Sequence, residues 1–278
     1  MLKSFVEFEF LKRNDSEMVE KLLRVFANFF VTEKEALDFI KNYNSSYKLL
    51  LKHIRFFINK SNKDNDALLM SLFGFLTNIF YHESNVLVFN DFELKTLKFD
   101  LVSGICLMVT IPVNEPALSE GLRVLANLSR NKQLAKHICN INFGEGLMAL
   151  LSHSSHSVVY NALGCLINIS NEKLFYQKEV DKAFLEHMNT IQRNEEETYL
   201  LSLKVFCNIF NYYKNEQKDI SCFEFTLKKI ELENDAENNK ENHGQNECQI
   251  NDIIRFIRKE NLDSVKRVGF KLNELLSG

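Results

Sequence analysis

An asparagine set inside an apolar helical stripe recurs along this chain, and its spacing constrains the architecture more than any other feature. In EGLRVLANLSRN, residues 120 to 131, Asn127 stands among Leu122, Val124, Leu125, Ala126 and Leu128. The arrangement returns in VFANFF around Asn28, FLTNIF around Asn78, CLINIS around Asn168 and VFCNIF around Asn208. Successive asparagines are 50, 49, 41 and 40 residues apart. A period of this length marks a stack of helical repeats.

One period is legible in full. After Asn127, NKQLAKHICN predicts a short helix with Leu134 and Ile138 four residues apart. Gly144 and Gly146 mark a break, and GEGLMALLSH predicts a second helix. HSSHS is a polar turn before VVYNALGCLINIS, the long third helix that carries Asn168. Such a unit has apolar residues on more than one side and must stack on its neighbours to bury them. EKEALDFIKN and YKLLLKHIRFFINK precede Asn78, and KEVDKAFLEHMNTIQR precedes Asn208. The excess length of the first two periods is expected in loops at NKSNKDND (59 to 66) and YHESNV (81 to 86).

Composition agrees with an all-α class. Nine glycines and two prolines in 278 residues are too few for the many turns of a sandwich or barrel. A net charge of −3 argues against a nucleic-acid binder, which usually carries a basic surplus. The longest uncharged run, residues 101 to 114, falls short of the ~20 residues that span a bilayer, so it reads as a buried helix with no membrane anchor. Glu7 and Glu9 interrupt the apolar residues of the N-terminus, unlike a signal peptide. The six cysteines form no CxxC pair, and Cys165 and Cys207 lie on apolar stripes; they read as reduced thiols of a cytoplasmic protein.

The segment ALSEGLRVLANLSRNKQLAKHICN, with FGEGLMALLSHSSHSVVYNALGCLINIS after it, resembles the armadillo repeat. The likeness is strongest over residues 117 to 170 and weaker in the repeats ending at Asn28, Asn78 and Asn208. A proline that often starts the second helix in that family is missing here. The resemblance implies a right-handed superhelical α-solenoid of about five armadillo-like repeats with capping helices at both ends. A narrower resemblance, carried by EGLRVLANLSRN and GLMALLSHSSHSVVYNALGCLINISNEK, is to the armadillo repeat-containing protein 2 family. It implies a role in assembling or transporting ciliary and axonemal components, and a place in the cilium or flagellum.

In armadillo proteins the third helices line the concave side. The resemblance implies that Asn28, Asn78, Asn127, Asn168 and Asn208 contact the backbone of an extended partner segment. A carboxamide suits that task, because it offers a donor and an acceptor and reads no side chain. The competing expectation is that each asparagine satisfies main-chain groups of its own neighbours. Four residues upstream stand Arg24, Gly74, Arg123, Gly164 and Lys204. Importin-α-type proteins hold tryptophan there to clamp lysine stems, and this chain has no tryptophan. Arg24, Arg123 and Lys204 would repel a basic signal and favour an acidic partner, as in catenin-type repeats. Long cationic stems that merely cover apolar surface are the plainer alternative.

No catalytic constellation stands apart from the repeats. His153 and His156 lack local acidic or cysteine partners for a metal. FGEGLM lacks the lysine of a phosphate loop. The sequons at Asn127 and Asn168 fall inside helices. The carboxylates of NEEETY read as a loop and helix start. The expectation is therefore a non-enzymatic scaffold or adaptor with no cofactor, whose partner is an extended acidic protein segment and not nucleic acid, membrane or a small-molecule substrate. A catenin-like or trafficking adaptor unrelated to cilia is the alternative. Residues 1–233 are expected to form the solenoid. Residues 234–249, acidic and asparagine-rich, read as a disordered loop, and 250–278 as terminal capping helices.

Overall fold

The computed structural model of the protein describes residues 16–60, 66–83, 91–110, 114–177, 180–191, 195–218, 220–223 and 226–230. Every regular element among them is helical. The loop and capping helices expected over 234–249 and 250–278 lie outside the described residues. The chain divides into two compact units, 1–174 and 175–278.

In the first unit the long helices are α1 (Ser16–Phe29), α4 (Asp66–Glu83), α6 (Glu115–Ser129) and α9 (His156–Ile169). Each carries one of the recurring asparagines. They pack side by side in a row, α1 on α4, α4 on α6, α6 on α9. Behind them run α2 (Glu33–Asn42), α3 (Asn44–Lys60), α5 (Phe92–Thr110), α7 (Lys132–Asn140) and α8 (Phe143–Ala149), with α3 against α5 and α5 against both α6 and α7. The chain is an all-α solenoid, and in the first unit the third helices form one layer.

The repeats differ in how they build the second layer. Two helices, α2 and α3, precede α4, and two, α7 and α8, precede α9. Before α6 the described residues hold a single long helix, α5, and its buried residues Leu101 to Val109 absorb most of the apolar run read from the sequence. The expected loop at 81 to 86 begins later than its composition suggests, since α4 continues through Glu83. α3 likewise continues through Lys60. The break between α7 and α8 is not at the glycines: Gly144 and Gly146 lie inside α8, and the chain turns at Asn142, with φ at 59°. Asparagine tolerates that left-handed conformation better than most residues.

Packing explains why the stripes are apolar. Leu122 and Leu125 of α6 and Leu163 and Leu166 of α9 are fully buried. At the N-terminal end, phenylalanines take over: Phe30 meets Phe39 and Phe75 at ring separations of 4.9 and 5.9 Å. Helix starts follow local rules. Asn114 caps α6 by accepting from the Ala117 N–H at 2.8 Å, and Asn131 caps α7 from Gln133 and Leu134.

The second unit holds α10 (Val180–Thr190) and α11 (Glu196–Asn215), which carries Lys204 and Asn208 one turn apart. Phe206, Phe210 and Phe223 form its aromatic core.

Candidate functional site

The asparagines of the first unit form a connected ladder. Asn78 of α4 donates its amide N–H to the carbonyl of Ala27 in α1 at 2.8 Å. Asn127 of α6 donates to the carbonyl of Thr77 in α4 at 3.1 Å. Asn168 of α9 donates to the carbonyl of Ala126 in α6 at 3.1 Å and to Ser129 Oγ at 2.9 Å. Each acceptor is the residue just before the previous asparagine. A carbonyl oxygen can only accept, so the nitrogen of each carboxamide must face the neighbouring helix. This is the self-satisfying role that the sequence leaves open beside partner contact.

The ladder uses one half of each amide. Among the described residues no donor meets the Oδ1 of Asn78, Asn127 or Asn168, and none of these oxygens is buried. All three residues are half-buried, and Asn28 on α1 is exposed. The row therefore keeps its acceptor oxygens unmet by any described donor while its nitrogens hold the stack together. Asn208 is half-buried on α11.

Two turns upstream on the same helices is a second set of cross-links that the sequence reading missed. Asn161 donates to the carbonyl and hydroxyl of Ser119 at 3.1 and 2.9 Å. At the corresponding place in α4, Ser71 Oγ accepts from Arg24 Nε at 3.2 Å. In α6 it is Glu120, whose carboxylate accepts from the Thr77 hydroxyl at 3.4 Å. The available signal was a polar residue seven before each asparagine: Ser71, Glu120 and Asn161.

Both candidate arginines of this unit have an acidic companion on their own helix. Arg24 pairs with Glu20 at 2.9 Å and Arg123 with Glu120 at 3.0 Å. The pairs are oriented. The arginine side chains are 63% and 50% exposed, their glutamates 18% and 22%. The carboxylates sit back against the helices, and the guanidinium groups are the more exposed partner in each pair. Lys204 lies half-buried on α11.

The two glycines in this row differ. A Cβ on Gly164 would touch the Ala126 methyl at 3.4 Å, so Gly164 serves close packing of α9 on α6. A Cβ on Gly74 would meet nothing within 4 Å.

Other polar groups have local duties. His153 accepts from the Ser155 N–H within its turn, and His156 stacks on Tyr160. His137 and His187 meet Ser103 and Ser202 at 2.9 and 3.0 Å, and burial pulls the pKa of His137 down. Cys106, Cys139, Cys165 and Cys207 are free thiols, and desolvation pushes the last three up to about 12. A thiol so protonated is a poor nucleophile. Among the described residues no three His, Cys, Asp or Glu side chains are placed to hold a metal ion. Nor is any described helix long and apolar enough to cross a membrane.

No family model and no curated protein matches this chain. Solved structures do. An engineered protein superposes with a TM-score of 0.66 at 16% identity, over 93% of this chain and 98% of that one. A designed armadillo repeat protein in complex with the peptide (KR)4 gives 0.64 at 13% identity, over 91% and 99%. A second designed armadillo repeat protein gives 0.63 at 12%, over 92% and 99%. The chain has the armadillo-repeat fold.

Proposed function

We propose that a chain with this fold works as a non-enzymatic protein-binding scaffold, taking an extended acidic segment of a partner along its third-helix face. The forward position of the Arg24 and Arg123 guanidinium groups over their more buried glutamates carries the reading. The Oδ1 atoms of Asn78, Asn127 and Asn168, which no described donor meets, support it, since each can accept a backbone N–H from a segment crossing the row. Asn28 extends the same row on α1. Lys204 and Asn208 offer the same cation-and-amide pair on α11. The structural likeness to a designed protein that binds a peptide fits the architecture, although that peptide, (KR)4, is basic.

The test uses two synthetic probes, fluorescein-labelled (DE)4 and (KR)4, titrated with the full chain and read by anisotropy. (DE)4 binds more tightly, and its affinity falls as salt rises, because the exposed charges are screened over roughly 10 Å at 0.1 M. Charge reversal at Arg24→Glu and Arg123→Glu removes that preference while leaving the circular dichroism unchanged. Preference of the unaltered chain for (KR)4 overturns the reading.

The cellular setting we propose is assembly or transport of ciliary components, on the likeness of EGLRVLANLSRN (120 to 131) and GLMALLSHSSHSVVYNALGCLINISNEK (146 to 173) to the armadillo repeat-containing protein 2 family. Proximity labelling in a ciliated cell tests it. Axonemal or transport-train neighbours support the ciliary setting, and neighbours confined to other trafficking or adhesion machinery support the alternative adaptor.

A further inference from the structure

Gly74 lies in the middle of α4, where glycine costs helix stability relative to alanine. Its counterpart Gly164 lets α9 approach α6, but Gly74 has no such packing role, since an added methyl there would meet no atom within 4 Å. What the missing side chain leaves is open space on the presented face of the row.

Side chains of both neighbouring helices are tied to α4 on either side of that position. Ser71 stands one turn before Gly74 on α4, and Arg24 reaches across from α1 to bond its hydroxyl. Thr77 stands nearly one turn after Gly74, and Glu120 reaches across from α6 to accept from its hydroxyl while also accepting from Arg123, the more exposed partner of the pair. The two guanidinium groups are thus anchored on either side of Gly74. Asn78, one turn on, commits its amide nitrogen to Ala27 and keeps its Oδ1 unmet by any described donor. Glu20 and the Ser71 hydroxyl occupy Nη2 and Nε of Arg24, which leaves further N–H donors on its outer edge.

We infer that the gap over Gly74 is a side-chain notch that receives a carboxylate of the bound segment between Arg24 and Arg123, while Asn78 accepts a backbone N–H beside it. The inference rests on the acidic-partner reading and gives it a register: one acidic side chain of the partner is seated at α4, and the others lie along the flanking helices. A carboxylate is the group that planar guanidinium donors match best among protein side chains. A cationic side chain would enter between two like charges.

The test fills the notch without touching the fold. Gly74→Ala adds a methyl into open space and Gly74→Phe fills it; neither meets a neighbour at its Cβ. Both variants keep the melting temperature of the parent or exceed it. Labelled (DE)4 binds the alanine variant within about twofold of the parent and the phenylalanine variant at least tenfold more weakly, a change of about 1.4 kcal/mol or more. The isosteric neutral probe (NQ)4 binds weakly to all three. Undiminished (DE)4 binding by Gly74→Phe overturns the notch; if Arg24→Glu still weakens (DE)4 in that case, the acidic-partner reading survives its loss. Failure of the parent to prefer (DE)4 over (NQ)4 and (KR)4 overturns both.

Discussion

Asn168 donates its amide to the carbonyl of Ala126 at 3.1 Å, across 42 residues of sequence. Ala126 lies in the last turn of α6, where carbonyls lack a helical N–H partner. The N–H four residues on, that of Arg130, bonds to Asn127 and Leu128 instead. A side chain of one repeat therefore joins the Ser129 hydroxyl, which also donates to Ala126, in completing the helix end of the repeat before it. Asn78 does the same for Ala27 in the last turn of α1.

Removing that cap should be felt in stability. Asn168→Ala is expected to cost about 0.5 to 1.5 kcal/mol, because the Ala126 carbonyl is left with the Ser129 hydroxyl alone as its side-chain donor and that hydroxyl loses its own. Asn168→Asp should cost more, since it sets a carboxylate oxygen against a carbonyl. Urea unfolding of the two variants checks the order, and an aspartate variant as stable as the parent would refute the capping role.

The leucines of the row should behave as core. Leu122 and Leu163 are fully buried, and each Leu→Ala should cost about 2 to 5 kcal/mol. In a stack the damage spreads to neighbours first. Amide exchange should therefore quicken in α4 and α9 for Leu122→Ala before it does in α1.

Gln217 offers a change in the opposite direction. It ends α11 with φ at 52°, while the Lys218 N–H bonds the Tyr213 carbonyl and the Gln217 N–H bonds that of Lys214. This is the turn that usually takes glycine. Gln217→Gly should raise stability by about 0.5 to 1 kcal/mol, the left-handed cost relieved less the entropy of glycine. Gln217→Val should lower it. Thermal melts of both decide the sign.

The thiols predict a pH dependence. Burial raises Cys139, Cys165 and Cys207 from an ordinary value near 9 to about 12 in the folded chain. Between those values the unfolded chain binds fewer protons than the folded one, so stability falls as pH rises. Their contribution is complete below about pH 9 and is lost as pH climbs through 12. Iodoacetamide at pH 8 should label these three slowly in the native chain and rapidly in urea. Fast native labelling of Cys165 would contradict its burial.

Much of the architecture was legible because it depends on periodicity. The apolar stripes around Asn78, Asn127 and Asn168 determine helices, and their 40- to 50-residue recurrence requires stacking. Boundaries were less legible. Gly144 and Gly146 look like a break, yet tertiary packing carries the helix through them and the turn falls on Asn142. Nothing local announces that, among the described residues, one long helix, α5, stands where the repeats ending in α4 and α9 have two.

The sequence by itself determined that the chain is helical, that it repeats, and which residues share the third-helix stripe. These follow from local backbone preference and from the burial of apolar faces, both properties of short windows. Only the tertiary structure decided what the polar residues of that stripe do. Asn168 meets Ala126, Arg24 meets Ser71, and Thr77 meets Glu120 across separations of 42, 47 and 43 residues. The acceptors include backbone carbonyls, which carry no signature of residue type. Whether Arg24 stands in front of Glu20 or behind it, and whether Gly74 faces a neighbour or open space, depends on how adjacent helices are set against one another. Helix packing determines that, and no single repeat contains it.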